Sequence, residues 1–181
     1  MKWSQLDCAD YISDMWPLEK TKKMLVTSGD GFLSVYDMRN GKLYALSENM
    51  DDELLSIAVL HNESEIVCGS RDGELNIFKY PYFGEVSDKF LGHPKSIDTM
   101  VVINNGAICT GSSDGLIRLL TIHPNKMVGV VGSHDDLPIE RLAISGDKDV
   151  LASSSHDETI KLWDIRSFFL FIDIISISCM T

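Results

Sequence analysis

Leu151-ASSSHDETIKLWDI-Arg166 is the stretch whose reading decides the fold. It opens on a short segment of apolar and small residues, steps through polar groups to Asp157, and then alternates through Thr159-Ile160-Lys161-Leu162-Trp163. Alternation of period two marks a half-buried strand. Asp157-Glu158-Thr159 stands where two such strands must reverse direction, and an Asp there accepts hydrogen bonds from nearby backbone N–H groups. A single hairpin is marginal in water and needs further strands or a packing partner.

The rest of the chain supplies them. Met24-LVTSGDGFLSVYDM-Arg39, Ile66-VCGSRDGELNIFK-Tyr80 and Ala107-ICTGSSDGLIRLL-Thr121 repeat the same order of apolar strand, small-residue step, Asp, turn and second strand. The aligned aspartates Asp30, Asp72, Asp114 and Asp157 are spaced by 42, 42 and 43 residues. Asp30-Gly31, Asp72-Gly73 and Asp114-Gly115 are strong hairpin signals, because glycine accepts positive φ without steric cost. Several short strands per unit at a period near 42 indicate the blades of a β-propeller. No segment carries a long apolar period of 3.6 residues. The expected fold is therefore all-β, with about four four-stranded antiparallel blades near residues 9–49, 50–91, 92–131 and 132–172. The repeats end at Arg166, and residues 167–181 form an apolar tail. Phe168 to Ile172 reads either as the outer strand of the last blade or as an altered C-terminus.

The residue types resemble the WD-repeat family. In its repeats a His, a Ser or Thr, an Asp and a Trp form a hydrogen-bonded tetrad within a blade. The resemblance places that tetrad on His134, Ser153, Asp157 and Trp163, with Gly132-Ser133 before the histidine. A buried carboxylate needs donors, which an imidazole and a hydroxyl supply. The third repeat offers His93, Thr110 and Asp114, with Leu120 where the Trp would stand. The second lacks the His and has Phe78-Lys79 at the Trp-Asp position, and the first has Tyr36-Asp37.

Further stretches are similar to the WD repeat-containing protein 55 family. These are Asp10-Tyr11-Ile12-Ser13-Asp14-Met15, Val26-Thr27-Ser28-Gly29-Asp30-Gly31, Tyr82-Phe83-Gly84 and Ser87-Asp88-Lys89-Phe90. Ser96-Ile97-Asp98 and Ile122-His123-Pro124-Asn125-Lys126, leading to Gly132-Ser133-His134, extend the similarity over about residues 9 to 166. The resemblance implies a nuclear or nucleolar scaffold, with the cytoplasm as a further location, that serves ribosomal RNA production and assembles with pre-ribosomal factors. It also implies about seven blades. Four repeats then suggest an open arc whose end blades lack cover, and hence self-association. The tail Ser167-FFLFIDIISISCM-Thr181 departs from the basic extension usual in the family, which argues against direct contact with RNA.

Two segments fit the sixteen-residue box of WD proteins that dock on the cullin-four ubiquitin-ligase adaptor. One carries Trp163-Asp164-Ile165-Arg166 and the other Tyr36-Asp37-Met38-Arg39. An arginine just past the third strand of a blade can turn its planar fork on an acidic or carbonyl-rich partner. It can equally pair with its own blade, and both readings stand at this point.

Composition narrows the rest. The chain has 181 residues, 44% hydrophobic and 24% charged, and a net charge of −11 from 16 Lys+Arg against 27 Asp+Glu. That balance excludes wholesale disorder and opposes a phosphate-coating surface. The acidic runs Asp51-Asp52-Glu53 and Asp135-Asp136 read as solvated loops or as a rim for basic partners. Cys8, Cys68, Cys109 and Cys179 form no CxxC pair, and the five histidines lack ligand spacing, so no metal or cofactor is expected. There is no nucleophile elbow and no phosphate-cradling glycine loop, which argues against an enzyme. Neither a signal peptide nor a membrane span is expected, since the apolar run from Phe168 to Ile177 is short and broken by Asp173.

Overall fold

A computed structural model describes residues 9–168. The chain divides into two compact units, the first ending at Asp98 and the second beginning at Thr99. Each unit holds two antiparallel sheets whose strands follow chain order.

The first sheet comprises β1 (Ile12–Leu18), β2 (Lys23–Ser28), β3 (Leu33–Asp37) and β4 (Lys42–Leu46). The second comprises β5 (Leu54–Leu60), β6 (Glu65–Ser70), β7 (Leu75–Lys79) and β8 (Asp88–Phe90). In the second unit, β9 (Thr99–Asn104), β10 (Ala107–Gly111), β11 (Leu116–Thr121) and β12 (Lys126–Ser133) form the third sheet. β13 (Ile139–Ile144), β14 (Val150–Ser155) and β15 (Ile160–Asp164) form the fourth, which has three strands among the described residues. This is the architecture of WD-repeat propeller blades, all-β apart from the 3₁₀ turn His61–Glu63 and one helical turn over residues 166–168. No helix among the described residues is long and apolar enough to cross a membrane.

Phe168, where the apolar tail was expected to begin an outer strand, instead lies in that helical turn. Its N–H donates to the Ile165 carbonyl at 3.0 Å, and its ring packs against the core of the second unit. The remainder of that expected strand, residues 169–172, lies outside the described residues, as do the last residues of the tail.

The second strands of the two middle sheets, β6 and β10, are buried along their whole length, whereas β14 of the fourth sheet is only partly covered. In the first unit Leu25, Leu33 and Val35 of the first sheet pack against Leu54, Ile57, Ile66 and Phe78 of the second. In the second unit Cys109, Ile117 and Leu119 of the third sheet pack with Ile139, Leu142 and Leu151 of the fourth. Polar groups stitch the paired sheets as well. Ile57 N–H donates to Asp14 Oδ2 at 2.9 Å, and Leu142 N–H donates to Thr99 Oγ1 at 3.3 Å.

The repeat turns obey their chemistry. Gly73 sits at φ +89°, and its N–H donates to the Ser70 carbonyl at 3.3 Å. A Cβ there would lie 2.6 Å from the carbonyl oxygens of both His93 and Lys95, so the position excludes a side chain twice over. The fourth repeat has no glycine in this place, and Glu158 takes the left-handed conformation itself at φ +63°.

Candidate functional site

The fourth sheet draws its polar residues from three elements. Ser153 lies mid-strand in β14, Trp163 lies in β15, Asp157 occupies the turn between them, and His134 directly follows β12. Their side chains form one hydrogen-bonded chain. His134 Nδ1 is 2.7 Å from Asp157 Oδ2, His134 Nε2 is 2.7 Å from Ser153 Oγ, and Trp163 Nε1–H donates to Ser153 Oγ at 2.8 Å. One proton arrangement satisfies all four: the indole donates to the hydroxyl, the hydroxyl to Nε2, and Nδ1–H to the carboxylate. Trp163 reaches this place because residue 132 is glycine. A Cβ there would stand 2.5 Å from the indole ring.

Asp157 is held from other sides as well. Thr159 donates to Oδ1 through its N–H at 2.9 Å and its hydroxyl at 2.7 Å, and Lys161 Nζ stands 3.5 Å from Oδ2. Desolvation pushes the carboxyl upward, but the hydrogen bonds from Thr159 and His134 outweigh it and hold it well below the usual carboxylate range. The Asp–His–Ser order resembles a hydrolase relay. However, His134 and Ser153 are fully buried and the indole occupies the serine oxygen, so the chain of bonds is closed to a substrate.

The third sheet solves the same problem differently. Asp114 receives both guanidinium nitrogens of Arg118, at 3.0 and 2.6 Å, and the Leu116 N–H at 3.1 Å. Desolvation raises its carboxyl, and the bonds from Arg118 reverse that to a net lowering. Thr110 is buried with its Oγ1 3.5 Å from the Arg118 carbonyl, and Leu120 is buried at the tryptophan place. His93 belongs to the first unit, where its Nδ1 lies 2.6 Å from the Lys95 carbonyl.

In the second sheet Asp72 is exposed, and its N–H donates to Asp52 Oδ2 at 2.9 Å. In the first, Asp30 accepts from the Ser28 hydroxyl and from Ala9 N–H at 2.9 Å, while Gly31 sits at φ +82°. The buried Asp37 pairs with the buried Lys23 at 2.8 Å, and Lys23 Nζ stands 3.6 Å from the ring centre of Tyr44. Tyr36, beside Asp37, is buried.

Both box arginines close on their own aspartates. Arg39 donates to Asp37 through Nε at 2.9 Å and Nη2 at 2.6 Å, and Arg166 holds Asp164 through Nε at 2.9 Å and Nη2. The guanidinium holds the Asp164 carboxyl at about 2 and Asp37 lower still, where Lys23 adds to it. Yet the two arginine side chains are 69% and 67% exposed, so each guanidinium keeps an outward edge.

The sequence pointed to neither Thr159, Arg118 nor the Lys23–Tyr44 contact. The signal for Arg118 and Lys161 was present: both stand four residues after their repeat aspartates, where the first two repeats carry Ser34 and Asn76. The acidic loop between β4 and β5 is likewise built rather than loose. Glu53 takes the Tyr11 hydroxyl at 2.9 Å and the Arg71 guanidinium. Burial and the Glu53 carboxylate push that phenol up to about 12. Cys68 and Cys109 are buried free thiols raised by desolvation, Cys109 to about 12, while Cys8 and Cys179 lie outside the described residues. No cluster of three or more His, Cys, Asp or Glu able to hold a metal occurs among the described residues.

Recurrent antiparallel blades, one of them with a His–Ser–Asp–Trp network, define a WD-repeat protein. The WDR55 family model matches residues 2–168, and the chain belongs to that family. It is 43% identical over 160 residues to the WD repeat-containing protein 55 homolog of Dictyostelium discoideum, covering 88% of this chain and 39% of that protein. It is 41% identical over 157 residues to WD repeat-containing protein 55 of Homo sapiens, covering 86% of this chain and 41% of the relative. Over 171 residues it is 39% identical to WD repeat-containing protein JIP5 of Coprinopsis cinerea, covering 88% and 42%. The chain thus spans about two fifths of the length of these relatives.

Proposed function

We propose that this chain is a non-catalytic protein-interaction scaffold of ribosome assembly and ribosomal RNA processing, working in the nucleus and nucleolus with the cytoplasm as a further location. One observation carries the interaction part. The side chains with the most chemical capacity, His134, Ser153 and Asp157, are spent on one another inside a blade, which leaves loops and rims as the working surface. The net charge of −11 suits basic protein partners such as ribosomal assembly factors and opposes direct binding to nucleic acid or to an anionic membrane. Self-association through uncovered blade faces belongs to the same reading. Sedimentation of the tagged protein with pre-ribosomal particles, and accumulation of precursor ribosomal RNA on its depletion, are the expected results. Absence of both overturns the assignment.

A second reading has its own observation: the exposed outer edges of Arg39 and Arg166 in two matching boxes. Under it the chain is a substrate receptor of a cullin-four RING ubiquitin ligase. Capture by the purified adaptor should then fall at least about tenfold in Arg39→Ala and Arg166→Ala, the loss expected for a charge-assisted anchor. Equal capture of wild type and variants removes the arginines from that role.

A further inference from the structure

Between the first two sheets, at the rim where β1 ends and β2 begins, lies a cleft of about 480 Å³. Trp16, Pro17 and Glu19 line it from the first sheet's side, and Val59, Asn62 and Glu63 from the second's. We propose that this cleft is a docking groove for an extended segment of another protein that presents an apolar side chain beside a lysine or arginine. The proposal rests on the interaction reading above and names the chemistry of the partner.

The volume falls within the range of ligand clefts, and the walls are mostly apolar. Trp16 is 36% exposed on the first strand of the sheet, with Met15 and Pro17 open beside it. An accessible indole at a groove is the residue type that most often anchors an interface. It also offers a π face to a cation.

Charge selects the occupant. The lining holds two carboxylates and no cation. Glu63 accepts the Lys20 N–H with both oxygens at 3.2 Å, which fixes its carboxylate in the lining. Glu19 meets Lys22 Nζ at 3.2 Å, but both side chains are largely exposed, so an incoming lysine or arginine exchanges for that pair at little cost.

The far wall is conformationally set. His61, Asn62 and Glu63 lie consecutively in the left-handed region, at φ 46°, 62° and 75°, and none is glycine. Backbone strain of this kind persists where surrounding structure holds it, and it concentrates at ligand clamps. The groove also shares its rim with Arg39. Leu18 pairs with Lys23, Lys23 with Asp37, and Arg39 follows two residues on, so a partner reaching the arginine passes close to the cleft.

Fluorescence anisotropy with a labelled nine-residue peptide alternating leucine and lysine tests this. Two control peptides replace leucine by alanine or lysine by glutamate. The leucine–lysine probe should bind at least about tenfold tighter than either control. Trp16→Ala and Glu63→Lys should each weaken it about fivefold or more, whereas Asp51→Lys, on the loop between β4 and β5, should leave it unchanged. Glu63→Lys touches no core residue, so the test survives if Trp16→Ala disturbs folding. Loss of binding in Asp51→Lys equal to that in Glu63→Lys, or no loss in either groove variant, overturns the groove. So does a change of oligomeric state in Glu63→Lys, which would make a second copy the occupant. Retained sedimentation with pre-ribosomal particles alongside a failed peptide assay sinks the groove alone. The reverse outcome sinks the ribosomal assignment alone.

Discussion

Leu33 and Val35 in the first sheet and Ile160 and Leu162 in the fourth stand at the same distances from their repeat aspartates. The first pair is fully buried, while the second is 75% and 70% exposed. Leu75 and Ile77 in the second sheet, and Ile117 and Leu119 in the third, are buried like the first pair. The strand chemistry is the same in all four, so the neighbour rather than the strand decides burial. The first sheet is held by packing from the second sheet, with Lys23–Asp37 at its end. The fourth packs one face on the third sheet and adds the chain of bonds from Trp163 through Ser153 and His134, which follows β12, to Asp157. A polar network anchored by the residue that follows β12 steadies a sheet whose Ile160 and Leu162 are exposed.

The sharpest way to break this contrast is truncation of the equivalent residues. Leu33→Ala should cost about 2–5 kcal/mol, the range for a buried leucine, while Leu162→Ala should stay within about 0.5 kcal/mol. Urea titration checks both, and a cost near 2 kcal/mol for Leu162 would mean that its face is covered in solution. Leu162→Lys should meanwhile reduce self-association in light scattering.

His134→Ala comes next. It leaves the Ser153 hydroxyl and the Asp157 carboxylate short of a partner in a buried place, at roughly 1–3 kcal/mol for each orphaned group. Thermal unfolding followed by circular dichroism should show the fall. A cost under about 0.5 kcal/mol would mean that Thr159 and Lys161 suffice for the carboxylate.

A smaller effect, and a gain, is expected at the turns. Glu158→Gly relieves a left-handed residue and should raise stability by about 0.5–1 kcal/mol, whereas Gly73→Ala should lower it by more. A lower melting temperature for Glu158→Gly would contradict the turn geometry.

The smallest effect is on acid stability. Asp164 has its folded-state pKa depressed to about 2 by Arg166. A depressed carboxylate contributes stability that is complete above its ordinary value and fades as pH falls toward the folded one. Asp164→Asn should therefore flatten the loss of stability between about pH 4 and pH 2 and lower neutral-pH stability by the same amount, which the solvent exposure of the pair keeps small. An unaltered acid limb in a pH series would show that the pair contributes nothing.

Repeat spacing, Asp-Gly turns and strand alternation were legible because they are local, and they located the sheets. The fourth-sheet network was legible because all four residue types are present at their places. The first and third sheets hid their solutions. Lys23 and Arg118 lie in strands, where a cation is ordinarily solvated; their partners Asp37 and Asp114 are close in the chain, but the burial that makes the pairing matter comes only with the packed sheets. The groove at Trp16 escaped for a related reason, since its two walls come from different sheets and no single segment carries the pattern.

The tryptophans have a consequence for observing the molecule. Trp16 lies half open in the first unit, and Trp163 lies in the second with its indole N–H bonded to Ser153 and its ring 6.2 Å from the His134 imidazole. A wet indole and a tethered indole beside an imidazole differ in emission colour and in quenching, so the chain carries an intrinsic optical label in each unit. With Trp3 replaced by phenylalanine, a single emission spectrum distinguishes which unit melts first.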